Sequence, residues 1–388
     1  MNLKRQLRRL VAAQPRAAGF SFSRPLVLLQ SDDWGRVGVR DREGYELLRA
    51  RGIDLGSHSY DFYSMETAED VVALRDMLHR HRDSTGRSAC MVMNFLLANV
   101  DFPKVTEGEF TEIHLKPLSQ GLPGNWQRQR PGLFEAYSEG IAQGLFHPGL
   151  HGLTHFCGRA VERELNDPGA RGTLLRNLWS AETPYIYWRM PWVGYEYYDP
   201  AESTFPEPGV QRELVRKAAA GFREFFGVGP LSACAPGYRA NQETHRAWLE
   251  HGVQVAQNGC GPCVPPHMDP LEILNLYRTI DVEPAHRILP VEEYLRVIDR
   301  CLARGWPAII SVHSINFHST LKDFRGPTLK ALDQLLTALE RKYSDLLYVH
   351  DADLYQIVTH GRFRAAQGTF EISVSQSECG AVASAGAN

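Results

Sequence analysis

Residues 25–35 read PLVLLQSDDWG, a run suited to a buried strand that leads straight into two adjacent carboxylates. A continuous apolar run of this length favours a strand buried on both faces, as in parallel sheets. An ionised carboxylate at the edge of an apolar core is unfavourable unless it pairs with a cation or shares a proton. Asp32 and Asp33 therefore predict a cation or a shared proton where this strand ends.

Strand-like and helical runs alternate along most of the chain after this strand. ACMVMNFLLAN (89–99) and AIISVH (308–313) are two of the strand-like runs. The helical runs carry capping signals, such as Thr67 and Asp70 in the spacing of a capping box. About seven such β/α units follow one another, which predicts an α/β fold with a parallel sheet, either a barrel or a doubly wound sheet.

The composition of the chain limits the class of protein to which it can belong. The 388 residues carry a formal net charge of −3, so no global basic field points to a nucleic-acid partner. No apolar run is long enough to span a membrane, and the basic start, MNLKRQLRRL, lacks the apolar core of a secretory signal. The start could be a helix that touches a membrane surface or a solvated terminal helix. With seven scattered cysteines, the sequence favours a cytoplasmic location.

We expect one domain over residues 25–360, preceded by a basic segment at 1–24 and followed by a disordered tail at 361–388. An insertion at about 157–230 is rich in aromatic residues and includes PYIYWRMPWVGYEYY (184–198). These rings could stack against sugar faces, or they could pack a small core of the insertion itself.

Polar residues follow three of the predicted strands. Asp32 and Asp33 follow the first, HGLTH (151–155) follows a later one, and His313 ends AIISVH. In parallel β/α folds the carboxyl ends of the strands meet at the active site. Two histidines four residues apart can face one ion, and two histidines with a carboxylate form a common catalytic zinc set. The sequence thus predicts a metal site at this end of the sheet.

The motifs resemble those of the polysaccharide deacetylases, which include carbohydrate esterase family four. SDDWG is similar to their first motif, HGLTH to their second, and IISVH to the late strand that carries their catalytic histidine. LLANVDF (96–102), FHPGLHGLTHF (146–156) and PAIISVHSINF (307–317) are closest to a bacterial branch of that family. The resemblance covers about residues 25–358. It implies a distorted (β/α)7 barrel of the glycoside hydrolase/deacetylase kind.

The resemblance also implies a role for each motif residue. Asp32 corresponds to the general base, and His313 to the general acid. Asp33, His151 and His155 correspond to the three metal ligands. The implied metal is most often Zn²⁺, although Co²⁺, Mn²⁺ or Ni²⁺ would accept the same ligands.

The third motif departs from the family pattern. Where the family places an arginine that pairs with the catalytic aspartate, this chain has Cys234 in CAPGYR (234–239). Arg239 is the candidate replacement. A backbone N–H near Gly237 or Tyr238 could stabilise an oxyanion, and Trp34 is a further candidate contact to the substrate.

Two other features of the sequence could also have a functional role. CGPC (260–263) spells a thioredoxin motif, but the three prolines in the following VPPHMDP exclude the helix that such a site needs. His147 could be a fourth ligand, a neighbour that supports the ligands, or an ordinary hydrogen-bonded histidine.

The sequence predicts a metal-dependent hydrolase that removes acetyl groups from N-acetylated sugars or polysaccharides. One alternative keeps the site but acts on another non-peptide C–N bond, because loops and not ligands choose the substrate. The other is a catalytically idle carbohydrate-binding protein. A carbohydrate is the expected partner, and the sequence leaves the oligomeric state open.

Overall fold

The computed structural model describes residues 19–260, 264–365 and 367–377. Its strands are β1 (Gly19–Phe22), β2 (Leu26–Trp34), β3 (Met91–Leu96), β4 (Ala98–Val100), β5 (Leu115–Pro117), β6 (Phe146–Gly152), β7 (Ser232–Cys234), β8 (Val255–Asn258), β9 (His267–Met268), β10 (Leu274–Tyr277), β11 (Ile280–Asp281), β12 (Ala308–Ser311), β13 (Leu347–Tyr348), β14 (Arg362–Ala365), β15 (Gly368–Glu371) and β16 (Val374–Ser377). Its helices are α1 (Arg42–Ala50), α2 (Ala68–Arg80), α3 (Phe102–Glu107), α4 (Trp126–Gln129), α5 (Leu133–Ala142), α6 (Gly158–Leu165), α7 (Ala170–Trp179), α8 (Pro208–Phe226), α9 (Gln242–Glu250), α10 (Val291–Leu302), α11 (Arg325–Lys342) and α12 (Asp351–His360).

The central sheet is a parallel barrel with seven strand positions. Neighbours pair in parallel in the order β12, β2, β3, β6, β7, β8 and β10. Only residues 278–279 separate β10 from β11, and β11 pairs in parallel with β12. The interrupted strand 274–281 therefore joins the two ends of the sheet and closes the barrel. This closure confirms the predicted distorted (β/α)7 barrel.

The burial of the strands explains why their sequences are largely apolar. All nine residues of β2 are buried, which matches its continuous apolar start. The other strands of the barrel are also largely buried, and helices pack around them. Because all seven strands run in the same direction, their carboxyl ends lie at one end of the barrel. The residues that follow the strands are collected at that end.

Several helices carry the caps that their sequences encode. Thr67 and Asp70 form the capping box of α2, and Asn241 caps α9. Helix α8 starts at Pro208 and is capped at its carboxyl end by Gly227. The φ of 73° at this residue suits glycine. Among the described residues, no helix is long and apolar enough to cross a membrane.

The segment between β6 and β7, expected as an aromatic insertion, contains α6, α7 and α8. Its aromatic residues divide between the main core and a cavity wall. Tyr185 and Tyr197 are buried in the main core, whereas Tyr187 and Tyr195 line a cavity at the carboxyl end of the barrel. The insertion therefore shares its core with the barrel and also supplies part of one wall of that cavity.

The two ends of the described chain pair with each other. Strand β1 pairs antiparallel with β16, and β14 pairs with β15. The expectation of a disordered tail from residue 361 is thus wrong for 362–365 and 367–377. Phe363 and Ile372 are buried there in a second apolar cluster, which stabilises these short strands. Residues 1–18 and 378–388, which hold the rest of the basic start and of the tail, lie outside the described part.

Candidate active site

Asp33 occupies a distorted backbone position at the end of β2. Its φ is 73°, which is uncommon for a residue other than glycine, and the pairing of β2 with β3 shifts register between Ser31 and Trp34. The Tyr63 hydroxyl donates to the Asp33 carbonyl at 3.0 Å, and the Ser314 hydroxyl donates to it at 3.3 Å. These contacts hold the strained residue in place, as is typical of functional positions.

His151 and His155 reach the same point from the end of β6. His151 is in the strand and His155 is in the loop that follows, so the pair does not lie on a helix. The Asp33 Oδ1 atom lies 3.5 Å from His151 Nε2 and 3.3 Å from His155 Nε2. All three side chains are buried. The structure therefore brings together the three residues that the sequence suggested as ligands.

The unsatisfied atoms in this cluster fit a metal ion. Asp33 Oδ1 and His151 Nε2 are buried and have no hydrogen-bond partner. The His151 Nδ1 atom lies 2.8 Å from the Cys234 carbonyl, so Nδ1 carries the proton and Nε2 presents a lone pair. Burial lowers the pKa of His155 to about 3, which keeps its imidazole neutral and able to bind a cation. One carboxylate and two imidazoles form a donor set that suits Zn²⁺.

A second possible cluster, formed by Asp32, His151 and Cys234, fits a metal less well. Both carboxylate oxygens of Asp32 are already bound by Arg278. Burial, together with the charge of Asp32, raises the pKa of the Cys234 thiol well above its usual range. A protonated thiol is a poor metal ligand. The first cluster is therefore the better candidate metal centre.

Arg278, which lies outside the third motif, pairs with Asp32. Its Nη1 and Nη2 atoms each lie 2.6 Å from one carboxylate oxygen of Asp32, in a buried bidentate pair. Burial alone would raise the pKa of Asp32, but the guanidinium outweighs burial and holds that pKa far below its usual range. Asp32 is therefore ionised at neutral pH. The Asn94 amide also donates to it, at 2.7 Å.

His313 pairs with Glu283 at the end of β12. Its Nδ1 atom lies 2.6 Å from Glu283 Oε1, and its Nε2 atom lies 3.8 Å from Asp32 Oδ2. Burial alone would lower the pKa of His313, but Glu283 outweighs burial and raises this pKa to about 10. Asn316 holds Glu283 in turn through a hydrogen bond from its amide. At neutral pH the imidazolium therefore carries a proton on the side that faces Asp32.

These groups surround one cavity of about 340 Å³. Its lining comprises Asp32, Asp33, Arg36, Tyr60, His151, His155, Tyr187, Tyr195, Gly237, Tyr238 and His313. Arg36 is buried between the rings of Tyr63 and Tyr185 and lies 3.3 Å from Asp33 Oδ2. The cavity thus combines aromatic walls with six acidic, basic or imidazole side chains and has the size of a small-molecule site.

Several candidate residues occupy positions other than those expected. The Arg239 guanidinium lies over the Tyr198 ring, whereas Arg278 is the residue that pairs with Asp32. Trp34 is completely buried against Phe317 and is no part of the lining of the described cavity. Both corrections have one reason, which is that sequence proximity to a motif does not determine the direction of a side chain.

Gly237 and Tyr238 do line the cavity, although they differ as candidate oxyanion donors. The Tyr238 N–H already donates to the Ala235 carbonyl at 2.8 Å, so it is not free for an oxyanion. The Tyr238 hydroxyl instead accepts a hydrogen bond from Arg278 at 2.6 Å. Gly237 has a φ of 61°, and a Cβ there would overlap the Tyr195 ring. Gly237 is the position of the two that still fits the role.

Two further candidates are not part of the candidate metal centre. His147 is at the opposite end of β6, where its ring stacks on His350 with centroids 3.7 Å apart. Burial lowers the pKa of His147 to about 3, and its Nε2 atom contacts the Gly144 carbonyl. It is therefore an ordinary half-buried histidine with a hydrogen-bond partner. Cys260 is exposed, and residues 261–263 of CGPC lie outside the described part.

Sequence reasoning missed Arg278, Glu283 and Arg36. Arg278 and Glu283 flank β11, the segment that closes the barrel, and no motif marks them. Their position in the sequence was the one available signal. Both charged residues follow a short apolar run, LNLY (274–277), that could have been read as a strand. Arg36 directly follows SDDWG, where a third charge beside two carboxylates could have been read as their partner.

Comparison with known proteins finds similarity only at the level of solved structures. No family model matches the chain, and no curated protein matches it. A "putative polysaccharide deacetylase" from Mycobacterium smegmatis is 12% identical, with a TM-score of 0.44 over 90% of this chain and 92% of that one. PuuE allantoinase is 12% identical, with a TM-score of 0.44 over 86% and 91%. A family 4 carbohydrate esterase from Streptomyces lividans is 10% identical, with a TM-score of 0.34 over 84% and 92%.

Proposed function

We propose that this chain is a metal-dependent hydrolase that removes acetyl groups from N-acetylated sugars. The observation that carries the proposal is the buried trio of Asp33, His151 and His155, whose free donor atoms face the cavity shared by Asp32 and His313. A divalent ion held there supplies Lewis acidity toward water and toward an acyl oxygen. Zn²⁺ is the ion that we expect.

In the proposed reaction the chain's own residues move the protons. Asp32, ionised because Arg278 lowers its pKa, accepts a proton from the water that attacks the acyl carbon. His313, protonated because Glu283 raises its pKa, donates from Nε2 to the departing nitrogen. The distance of 3.8 Å between His313 Nε2 and Asp32 Oδ2 supports the assignment of both groups to one reacting centre. One turnover yields acetate and a free amine.

The walls of the cavity support a sugar as the group that carries the acetyl. Tyr60, Tyr187, Tyr195 and Tyr238 line it with rings and hydroxyls. Aromatic faces pack against the apolar faces of sugars, while phenolic hydroxyls satisfy sugar hydroxyls. The Tyr187 and Tyr195 hydroxyls lie 2.7 Å apart and bond to each other, which fixes both rings on one wall.

Acetate release from a panel of acetylated compounds tests the proposal directly. Protein of measured metal content is assayed with N-acetylated monosaccharides, short N-acetylated oligosaccharides and non-sugar acetamides. We expect release from the sugars, removal of the metal by His151→Ala, and retention of the metal with loss of turnover in Asp32→Asn. Turnover only on non-sugar amides would assign another C–N bond. Sugar binding without acetate release would indicate a binding protein.

A further inference from the structure

Glu196 is a buried carboxylate that the proposed reaction does not use. It belongs to the aromatic segment between β6 and β7, and its residue is 1% exposed. None of the ion pairs described for the structure involves it. Its partners are instead the backbone groups of the turn between His151 and His155, in the middle of HGLTH.

The contacts of this carboxylate are specific. The Leu153 N–H lies 3.1 Å from Glu196 Oε1 and 3.0 Å from Oε2, and the Thr154 N–H donates to Oε1 at 2.8 Å. The carbonyls of Gly152 and Leu153 accept from Leu97 and Ala98, at 3.1 and 2.8 Å. Glu196 thus satisfies the N–H groups of the turn while the segment after β3 satisfies its carbonyls. Buried backbone groups need such partners.

Gly152 shows how closely the turn is fitted to this carboxylate. Its φ is 146°, and a Cβ built there would overlap Glu196 Oε2. Only glycine therefore lets the backbone pass over the carboxylate without displacing it. The glycine of HGLTH and the glutamate of the insertion form one contact, which connects the aromatic segment to the loop that carries both histidines.

We propose that Glu196 is a positioning residue for the metal centre, which holds the turn at Gly152–Thr154 so that His151 and His155 face one ion. This inference rests on the proposed function, because it takes these histidines as ligands. It gives the insertion a role besides lining the cavity. Groups behind the ligands commonly contribute 10- to 100-fold to metal affinity.

The test is the affinity of the full-length protein for Zn²⁺, measured by competition with a chromophoric chelator. Glu196→Gln keeps the size of the side chain but replaces one of the two accepting oxygens with an NH₂ group, which cannot accept from the backbone N–H groups, so we expect Zn²⁺ affinity to fall by about 10-fold or more. Glu196→Asp keeps the charge but is too short to reach both N–H groups, and we expect an intermediate loss. Circular dichroism and thermal melting of each variant establish that it is folded.

Glu164→Gln is the matched control. Glu164 is also a buried glutamate of the same segment, but it pairs with Arg171 at 3.4 Å instead of contacting the turn. Its substitution should leave Zn²⁺ affinity unchanged. Wild-type affinity in folded Glu196→Gln and Glu196→Asp, or an equal loss in Glu164→Gln, would overturn the inference alone. Wild-type protein that binds no Zn²⁺ would overturn the proposed metal site and this inference with it.

Discussion

At the scale of single residues, the site consists of buried charges that are matched in pairs. Asp32 pairs with Arg278, Asp33 with Arg36, and His313 with Glu283. The first two pairs are fully buried and the third is partly exposed, so removal of one partner leaves the other uncompensated, most severely for Asp32 and Asp33. The pairs therefore control the protonation state of the site as well as its geometry.

Arg278→Gln should lower turnover by about 100-fold or more, since it removes the bidentate pair that orients the proposed base and leaves the hydrogen bond from Asn94. Arg278 lowers the pKa of Asp32, and its loss raises that pKa. The base is then protonated at a higher pH, so the acid limb of the profile of kcat/KM against pH should move upward. Arg278→Lys, which keeps the positive charge, should show a smaller shift.

Arg239→Gln is the control for this prediction. Its guanidinium lies over Tyr198 and not against Asp32, so the acid limb should stay in place. An unchanged acid limb in Arg278→Gln, with the protein folded, would show that Arg278 does not control the ionisation of Asp32.

Glu283→Gln should shift the alkaline limb of the same profile to lower pH. Glu283 raises the pKa of His313 to about 10, so without it the imidazolium loses its proton closer to neutrality. His313→Ala should reduce the rate on an N-acetyl sugar far more than on an activated acetyl ester, whose leaving group needs no proton. Equal losses on the two substrates would contradict the role of His313 as the acid.

At the scale of elements, β6 leaves space for a side chain that supports the site from within the barrel. Gly149 lies on β6 directly against Asn94 of β3, with which it is paired in the sheet. The absence of a side chain leaves space for the Asn94 amide, which donates both to Asp32 and to Gln257 at 2.7 Å. The glycine therefore contributes to the site without contacting any reacting group.

Gly149→Ala should destabilise the protein by about 1–3 kcal/mol, because the added methyl overlaps the Asn94 side chain in a packed interior. Urea unfolding monitored by tryptophan fluorescence measures this change, and turnover should fall with it. Gly158→Ala, on the first turn of α6 with open space around it, should be neutral or slightly stabilising. Similar effects of the two substitutions would refute the packing argument.

At the scale of the whole molecule, the two ends of the described chain pair with each other and pack against the barrel. Strands β1 and β16 pair, and the apolar cluster under them includes Phe20, Leu28, Phe363 and Ile372. Leu28 belongs to β2, the first strand of the barrel, so the terminal strands extend the barrel core. The segment that the sequence suggested as a tail thus contributes to stability.

Ile372→Ala should lower the free energy of unfolding by about 2–4 kcal/mol, because Ile372 is 2% exposed and its removal leaves a cavity. Glu371→Ala changes the exposed neighbour and should stay within about 0.5 kcal/mol of the wild type. Chemical denaturation of both variants gives the comparison. Equal stabilities would mean that the terminal strands do not support the barrel.

The sequence by itself determined the features that depend on local pattern. Apolar strands alternating with capped helices predicted a parallel sheet, because each element must bury its own apolar face, and the resemblance of the motifs chose the barrel over a doubly wound sheet. The spacing of SDDWG, HGLTH and IISVH indicated Asp32, Asp33, His151, His155 and His313, because residues at strand ends meet in such a fold.

Only the tertiary structure decided which charges pair. Arg278 reaches Asp32 across 246 positions of sequence because the interrupted strand 274–281 closes the barrel beside β12. Glu283 reaches His313 for the same reason. The partner of a buried charge is set by which strands become neighbours, and no local pattern near Cys234 or Arg239 carries that information. The fold class was therefore predictable from local periodicity and the motifs, whereas the pairing of charges in the site was not.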